Sequence, residues 1–434
     1  MRIAARSPLW QKFPPSPARP PATAAHPLAT VKDAMSARVL ILAVMFAVTT
    51  LRPLAAAEAA PFGEWLRGVR AEARAAGMSE AFLDDALAGV RPIARVIELD
   101  RRQPEFTLTF WNYLDKNVND LRIRKGRAML EKHRALLEKT AERYGVQPRF
   151  IVALWGLETN YGEHFGAFPI IAALATLAHD ARRSRFFRQQ LLAALTIMHR
   201  GDVPLTTTGS WAGAMGNFQF IPTTYKDFAV DADGDGRRDM WNSYPDMFGS
   251  AANYLARSGW RRAWSWGREV RLPKGFSLEH AGLGTQKPIA EWKRLGVTRI
   301  DGGALPDEQT DASIVLPSGY EGPAFLIYKN YRAILSWNRS LLYAVAVGHL
   351  ADRLVGGLPL QSPRPAEELP LSRADVQDLQ RLLAAKGLYG GENDGVVGPE
   401  TRNAIKAYQR RVHLPPDGFP TAGLLERLRG ASGG

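Results

Sequence analysis

Apolar positions recur at helical spacing from about Pro61 to Trp266, and strand signals in that stretch are few. The densest run lies between Pro148 and Gly162, where residues 150–157 are apolar nearly all round, as in a helix buried on every side. Pro148 suits the first turn of that helix and Gly162 its end. From Arg268 to Tyr328 the pattern changes to short β-like runs at 269–272, 313–316 and 324–328, broken by Gly and Pro. Helical spacing returns after Asn338, a suitable N-cap, and places Leu342, Val345, Leu350 and Leu354 ahead of Gly356. Four prolines in residues 357–370 mark a linker.

Beyond the linker, Val376, Leu379, Leu382 and Leu383 fall on one helical face, with Gly387 as a stop. Gly398-Pro399 opens a second helix, from Glu400 to Val412. The piece Asp394-Gly395…Pro399-Glu400-Thr401 is echoed by Asp417-Gly418-Phe419-Pro420-Thr421, and each copy precedes a helix. The pattern predicts a mainly α chain of the α+β class. A helical domain spans 62–355 with a β-rich insertion at about 268–330, and a linker at 356–370 leads to a small helical module at 371–430.

Composition changes the picture at the N-terminus. The 434 residues carry a formal net charge of +13, which suggests a polyanionic partner such as nucleic acid, anionic membrane or cell wall. Residues 1–57 hold seven Lys/Arg against one acid, a net of +6, so 13 − 6 = +7 remains for the rest. Arg38 precedes the apolar run Val39 to Val48, and Leu54-Ala55-Ala56-Ala57 follows it, as in a signal peptide. Met35 is the expected start, which makes residues 1–34 an over-extended reading frame. An uncleaved anchor is the alternative; both put the body of the protein in the periplasm. The absence of cysteine excludes disulfides, thiolate metal sites and a lipid-anchored N-terminal Cys.

Three stretches carry candidate chemistry. Glu158 lies at i+7 from Ile151, i+4 from Leu154 and i+3 from Trp155, on a helix that is otherwise apolar. Burial disfavours its charged form, which suits a general acid; a structural glutamate held by Arg or backbone amides fits the same slot. The second stretch, Gly209 to Pro222, combines three glycines with Ser210 and Gln219, and reads either as a close approach to a ligand or as a tight helix contact. In the third, Asp231, Asp233 and Asp235 with Gly236 match the first half of a Ca²⁺ loop, with Arg237 offering its carbonyl. Asn242 cannot give the usual bidentate carboxylate, and Asp246 closes the site if the loop is longer than an EF-hand's; a solvated acidic turn is the alternative. The histidines show no zinc-site spacing, no phosphate-binding loop is present, and no organic cofactor is expected.

Taken in order, Leu154-Trp155-Gly156-Leu157-Glu158-Thr159-Asn160-Tyr161-Gly162, Ala212-Gly213-Ala214-Met215-Gly216-Asn217-Phe218-Gln219-Phe220-Ile221-Pro222, the acidic loop and Ala251-Ala252-Asn253-Tyr254-Leu255 resemble the lytic murein transglycosylase B family over residues 62–355. The module at 371–430 resembles a peptidoglycan-binding domain through Asp394-Gly395-Val396-Val397-Gly398-Pro399-Glu400-Thr401. The resemblance implies a lysozyme-like helical fold and cleavage of the MurNAc–GlcNAc β-1,4 bond into a 1,6-anhydroMurNAc end. It makes Glu158 the catalytic acid/base. It places Tyr113, Ser210, Gln219, Tyr254, Asn338 and Tyr343 along the sugar groove, and assigns a structural Ca²⁺ to Asp231, Asp233, Asp235, Arg237 and Asp246. Trp337 departs from the pattern, standing where a Tyr is common. The implied partners are peptidoglycan glycan strands, with wall-synthesis or division proteins as further candidates, for a monomer that binds no nucleic acid. The rival readings are a hydrolytic muramidase, with Glu163 or Asp180 as second carboxylate, and an inactive wall-binding scaffold.

Overall fold

The computed structural model describes residues 61–102, 108–364 and 370–430. The expected start at Met35 and the signal peptide lie outside the described residues, as does part of the linker. The helical pattern is borne out. The helix Pro148–Thr159 begins with Pro at its first position, and every residue from Phe150 to Thr159 is buried. It is wrapped by the helices Asp120–Lys132, Arg134–Tyr144, Tyr244–Arg257 and Leu341–Leu354. With no face left for water, the all-apolar pattern is what this position requires.

The helix stops earlier than Gly162. Asn160 and Tyr161 both adopt left-handed backbone conformations, with φ of 54° and 64°. Such residues are strained, and side chains hold them: Tyr161 Oη donates to the Arg122 carbonyl at 2.9 Å, and Lys125 Nζ donates to the Asn160 carbonyl at 2.9 Å. Gly156 makes room for the turn, since a Cβ there would meet the Tyr161 ring at 2.7 Å.

The β-rich insertion is an antiparallel sheet formed by β3 (Gly267–Arg271), β4 (Lys287–Pro288), β5 (Thr298–Arg299), β6 (Asp311–Val315) and β7 (Ala324–Ile327), in the order β4-β6-β7-β3-β5. The two-residue edge strands β4 and β5 are too short for any period-2 signal. On β6 and β7, Val315, Phe325 and Ile327 join the helical core, while Ile314 and Leu326 face a second core around Trp292. A sheet covered on both faces reads as a continuous apolar run. A pair of two-residue strands, β1 (Phe168–Pro169) and β2 (Thr208–Gly209), lies apart from it.

Asn338 is not an N-cap. It ends the helix Lys329–Trp337, and Ser340 caps Leu341–Leu354 by accepting from the Tyr343 N–H. Asn338 Oδ1 instead accepts from the Ser340 N–H at 3.0 Å, a local turn between the two helices.

The C-terminal module has three helices, Arg373–Ala385, Pro399–Arg411 and Ala422–Gly430. Its sequence echo is a structural repeat. Asp394 Oδ1 accepts from the Val396 N–H, while Gly395 N–H donates to Gln380 Oε1. Asp417 and Gly418 repeat both bonds with Phe419 and Gln409. The module packs on the insertion: Lys406 Nζ donates to the Ala281 carbonyl at 2.8 Å, Arg410 pairs with Glu279, and Tyr320 N–H donates to Asp417 Oδ2 at 3.0 Å. The linker is fastened as well, with Arg364 bidentate on Asp115 at 2.7 Å for both bonds.

Candidate active site

Glu158 is 4% exposed. Its Oε1 accepts two bonds from groups far along the chain, Trp337 Nε1–H at 2.7 Å and Tyr343 Oη–H at 2.5 Å. Burial and then the Glu158 carboxyl hold the Tyr343 phenol well above its ordinary range, with Tyr113 and Tyr254 contributing in the same sense. Tyr343 therefore stays a donor. The two fixed donors on Oε1 strengthen when negative charge develops on the carboxyl.

The loop after β2 locks the helix that carries Glu158. Asn217 Oδ1 accepts from Trp155 Nε1 at 2.7 Å, and its Nδ2 donates to the carbonyls of Met240 and Trp241. Thr159 Oγ1 donates to the Asn217 carbonyl at 2.9 Å. Gly216, at φ 67°, permits this approach, because a Cβ there would meet Met240 Cβ at 2.7 Å. Gln219 holds a left-handed φ of 49°. Its Nε2 donates to the carbonyls of Phe165 and Gly216, and its buried Oε1 finds no hydrogen-bond partner among the described residues. A strained backbone and an unused buried acceptor together mark a position kept for something other than stability.

The other predicted groove residues are buried to different ends. The Tyr254 ring lies 4.8 Å from Trp337, and its hydroxyl donates to the Ser336 carbonyl at 2.6 Å, steadying the residue next to Trp337. Burial pushes that phenol up to about 12. Tyr113 is 3% exposed, on the helix Phe110–Asn117. Ser210 spends its oxygen on its own loop, accepting from the N–H groups of Ala212 and Ala214 at 3.2 and 3.0 Å. Asn338 forms the turn described above. The structure brings Glu158, Tyr343 and Trp337 into direct contact, with Tyr254 against Trp337.

Nothing in the sequence marks Trp337 as a donor to Glu158: it stands where a Tyr is common, yet an indole N–H is as good a donor to Oε1 as a phenol. Phe218 and Phe220 fix the indole edge-on, at centroid distances of 6.0 and 5.2 Å.

The acidic loop gathers Asp231, Asp233, Asp235 and Asp246 so that one carboxylate oxygen from each lies within 4.8 Å of the others. Asp246 is fully buried and accepts from the N–H groups of Ala232 and Asp239 at 2.7 and 2.8 Å. Burial first, with Asp233 adding to it, raises its pKa, while those amides oppose the shift. Four anionic oxygens so close repel one another unless a cation lies among them, and a hard oxygen set fits Ca²⁺. Arg237 N–H donates to Asp235 Oδ1 at 2.8 Å. Asn242 turns away to bond Asp239.

The two rival carboxylates are engaged elsewhere. Glu163 is paired with Lys125, which first, followed by Asn160, holds its carboxyl below the usual range. Asp180 pairs with Arg101 at 3.3 Å.

The transglycosylase SLT domain model matches residues 61–352, and the peptidoglycan binding domain model matches residues 372–428. Membrane-bound lytic murein transglycosylase B of Escherichia coli (strain K12) is 32% identical over 254 residues, which cover 55% of this chain and 66% of the relative. The crystal structure of SltB3 from Pseudomonas aeruginosa, in complex with NAG-anhNAM-pentapeptide, matches with a TM-score of 0.82 at 48% identity, over 85% of this chain and 100% of that one. The Escherichia coli lytic transglycosylase Slt35 in complex with calcium matches with a TM-score of 0.58 at 26% identity, over 68% of this chain and 93% of that one. This chain belongs to the SLT-domain lytic transglycosylases, enzymes that act on peptidoglycan, and it ends in a peptidoglycan-binding domain.

Proposed function

We propose that Glu158 is the single acid/base with which this enzyme cuts the MurNAc–GlcNAc β-1,4 bond without consuming water. The observation that carries the reading is the buried carboxyl whose Oε1 is held by two neutral donors, Trp337 and Tyr343. In the first step Glu158 delivers its proton to the glycosidic oxygen. The C1–O bond breaks with its electron pair going to that oxygen, and the MurNAc N-acetyl oxygen closes on C1. The departing proton leaves a carboxylate, which both donors stabilise. In the second step that carboxylate takes the proton from the MurNAc C6 hydroxyl. Its oxygen attacks C1, displaces the N-acetyl oxygen and closes the 1,6-anhydro ring. Holding the hydroxyl in place makes this step intramolecular, an advantage of roughly 7 kcal/mol or more over capturing free water when alignment is good. Gln219 Oε1 is the acceptor that a sugar hydroxyl or acetamido N–H would use.

Asp231, Asp233, Asp235 and Asp246, with the Arg237 carbonyl, would hold Ca²⁺ and neutralise the loop beside the catalytic core. The metal would be structural. The segment at 35–57 would export the protein to the periplasm, where the substrate lies. Tyr113, Ser210, Asn338, Tyr254 and Tyr343 would shape the groove, Ser210 by folding its loop. Glu158→Gln tests the assignment: the amide keeps the volume but transfers no proton, so turnover of purified glycan strands should vanish while the melting temperature holds or rises. A Gln variant retaining more than about a few per cent of wild-type turnover refutes it.

A further inference from the structure

Asn217 stands at the tip of a hairpin whose backbone closes between Met215 and Phe220, with N–H to carbonyl bonds of 2.9 and 3.0 Å in the two directions. It is buried, and each of its polar atoms is engaged outside that hairpin. Its backbone N–H and its Nδ2 both donate to the Met240 carbonyl, at 2.9 and 3.1 Å, and Nδ2 also donates to the Trp241 carbonyl at 2.9 Å. Its Oδ1 accepts from Trp155 Nε1 at 2.7 Å, and its carbonyl accepts from Thr159 Oγ1 at 2.9 Å. An indole only donates and a carbonyl only accepts, so one orientation of the amide satisfies them all.

Three parts of the site meet at this residue. Trp155 lies nearly one turn before Glu158 and Thr159 directly follows it, so the two bonds clamp the piece of helix that carries the acid. The hairpin carries Phe218 and Phe220, whose rings seat the Trp337 indole, and Trp337 donates to Glu158. The third part is itself fixed. Trp241 N–H donates to Asp239 Oδ1, and Asp239 N–H to the buried Asp246, both at 2.8 Å. The acid and its indole donor are 179 residues apart in the chain. Asn217 is bonded to the helix of the one and anchors the seat of the other. An apolar side chain there would fill the space, but dispersion contacts tolerate small slips that directed hydrogen bonds do not.

We propose that Asn217 is a positioning residue for the reaction, which sets the geometry between Glu158 and Trp337 by acting through Trp155, Thr159 and Phe218. The inference rests on the reading of Glu158 as the acid/base.

The test is Asn217→Leu in the full chain, with ¹⁵N in the indole rings. The Trp337 N–H resonance, identified by its loss in Trp337→Phe, should move in the Leu variant although Trp337 itself is unchanged. On peptide-free glycan strands kcat should fall by about tenfold or more, with KM within about threefold of wild type. Added to Trp337→Phe, the substitution should cost a smaller factor than it does alone, because the bond it positions is already gone. Thr159→Val removes one hydroxyl from the same clamp and should act in the same direction; it decides the matter if the Leu variant does not fold. An unmoved Trp337 resonance overturns the proposal, as does a loss of kcat by the same factor with and without the Trp337 indole. A lower melting temperature with kcat retained also overturns it and leaves Asn217 a packing residue. None of these outcomes touches the catalytic reading, which fails only if Glu158→Gln keeps its turnover.

Discussion

Trp337→Phe removes one hydrogen-bond donor from Glu158 and leaves a smaller ring in the same place. The indole Nε1–H lies 2.7 Å from Glu158 Oε1, with both residues buried. A phenyl ring keeps most of the contacts with Phe218, Phe220 and Tyr254 and loses the donor. A hydrogen bond to a charged group contributes about 1.5–3 kcal/mol, and more in the charged than in the neutral state of its acceptor. In the proposed mechanism Glu158 acquires its charge as it gives up the proton, so the loss falls on the transition state of the first step. The expected result is a kcat lower by roughly 10- to 150-fold with KM nearly unchanged. Filling the space less completely should cost about 1–2 kcal/mol of stability, which a circular-dichroism melt will read. Turnover is measured on peptide-free glycan strands by chromatography of the products. Because Tyr343 serves the same oxygen, adding Tyr343→Phe should cost a different amount from the two single losses summed. A Trp337→Phe enzyme with kcat within about threefold of wild type would show that the bond to Oε1 does not matter to catalysis.

Two further outcomes follow from buried charges. Chelation should lower the melting temperature, and millimolar calcium should restore it by mass action; Asp246→Asn should abolish the calcium response, whereas a wild-type protein indifferent to calcium would mean the acidic loop binds none. Because the folded pKa of His349 is depressed from 6.5 to about 4, its contribution to stability is fully present above pH 6.5. As pH falls from 6.5 toward 4 the unfolded chain gains a proton that the fold refuses, so up to about 3 kcal/mol is lost. Urea denaturation across that range should show the slope, and His349→Gln should flatten it; identical slopes would place the acid sensitivity elsewhere.

The helix Pro148–Thr159 was legible because burial of residues 150–159 leaves an all-apolar pattern that only Glu158 and the last residue, Thr159, interrupt. The acidic loop and the Asp–Gly repeat were legible because each builds its geometry from bonds within a few residues, which fixes the spacing of the residue types. Trp337 was not, since its partner lies 179 residues away and nothing local distinguishes an indole that packs from one that also donates. Ser210 shows a different limit: two backbone amides donate to its oxygen and fold its loop, a use that its residue type does not announce, while its hydroxyl hydrogen is still there to be donated. The docking of the C-terminal module had no sequence signal either, because Arg410 and Glu279 look like ordinary surface charges until the fold sets them side by side.

The fate of water at the new chain end tests the single-carboxyl account most directly. Peptidoglycan sacculi digested in ¹⁸O-water should yield muropeptides ending in 1,6-anhydroMurNAc, one water lighter than hydrolytic products and free of the label, because the C6 hydroxyl supplies the attacking oxygen. Reducing MurNAc ends carrying ¹⁸O would contradict it, and would mean that a second carboxylate activates water across from Glu158.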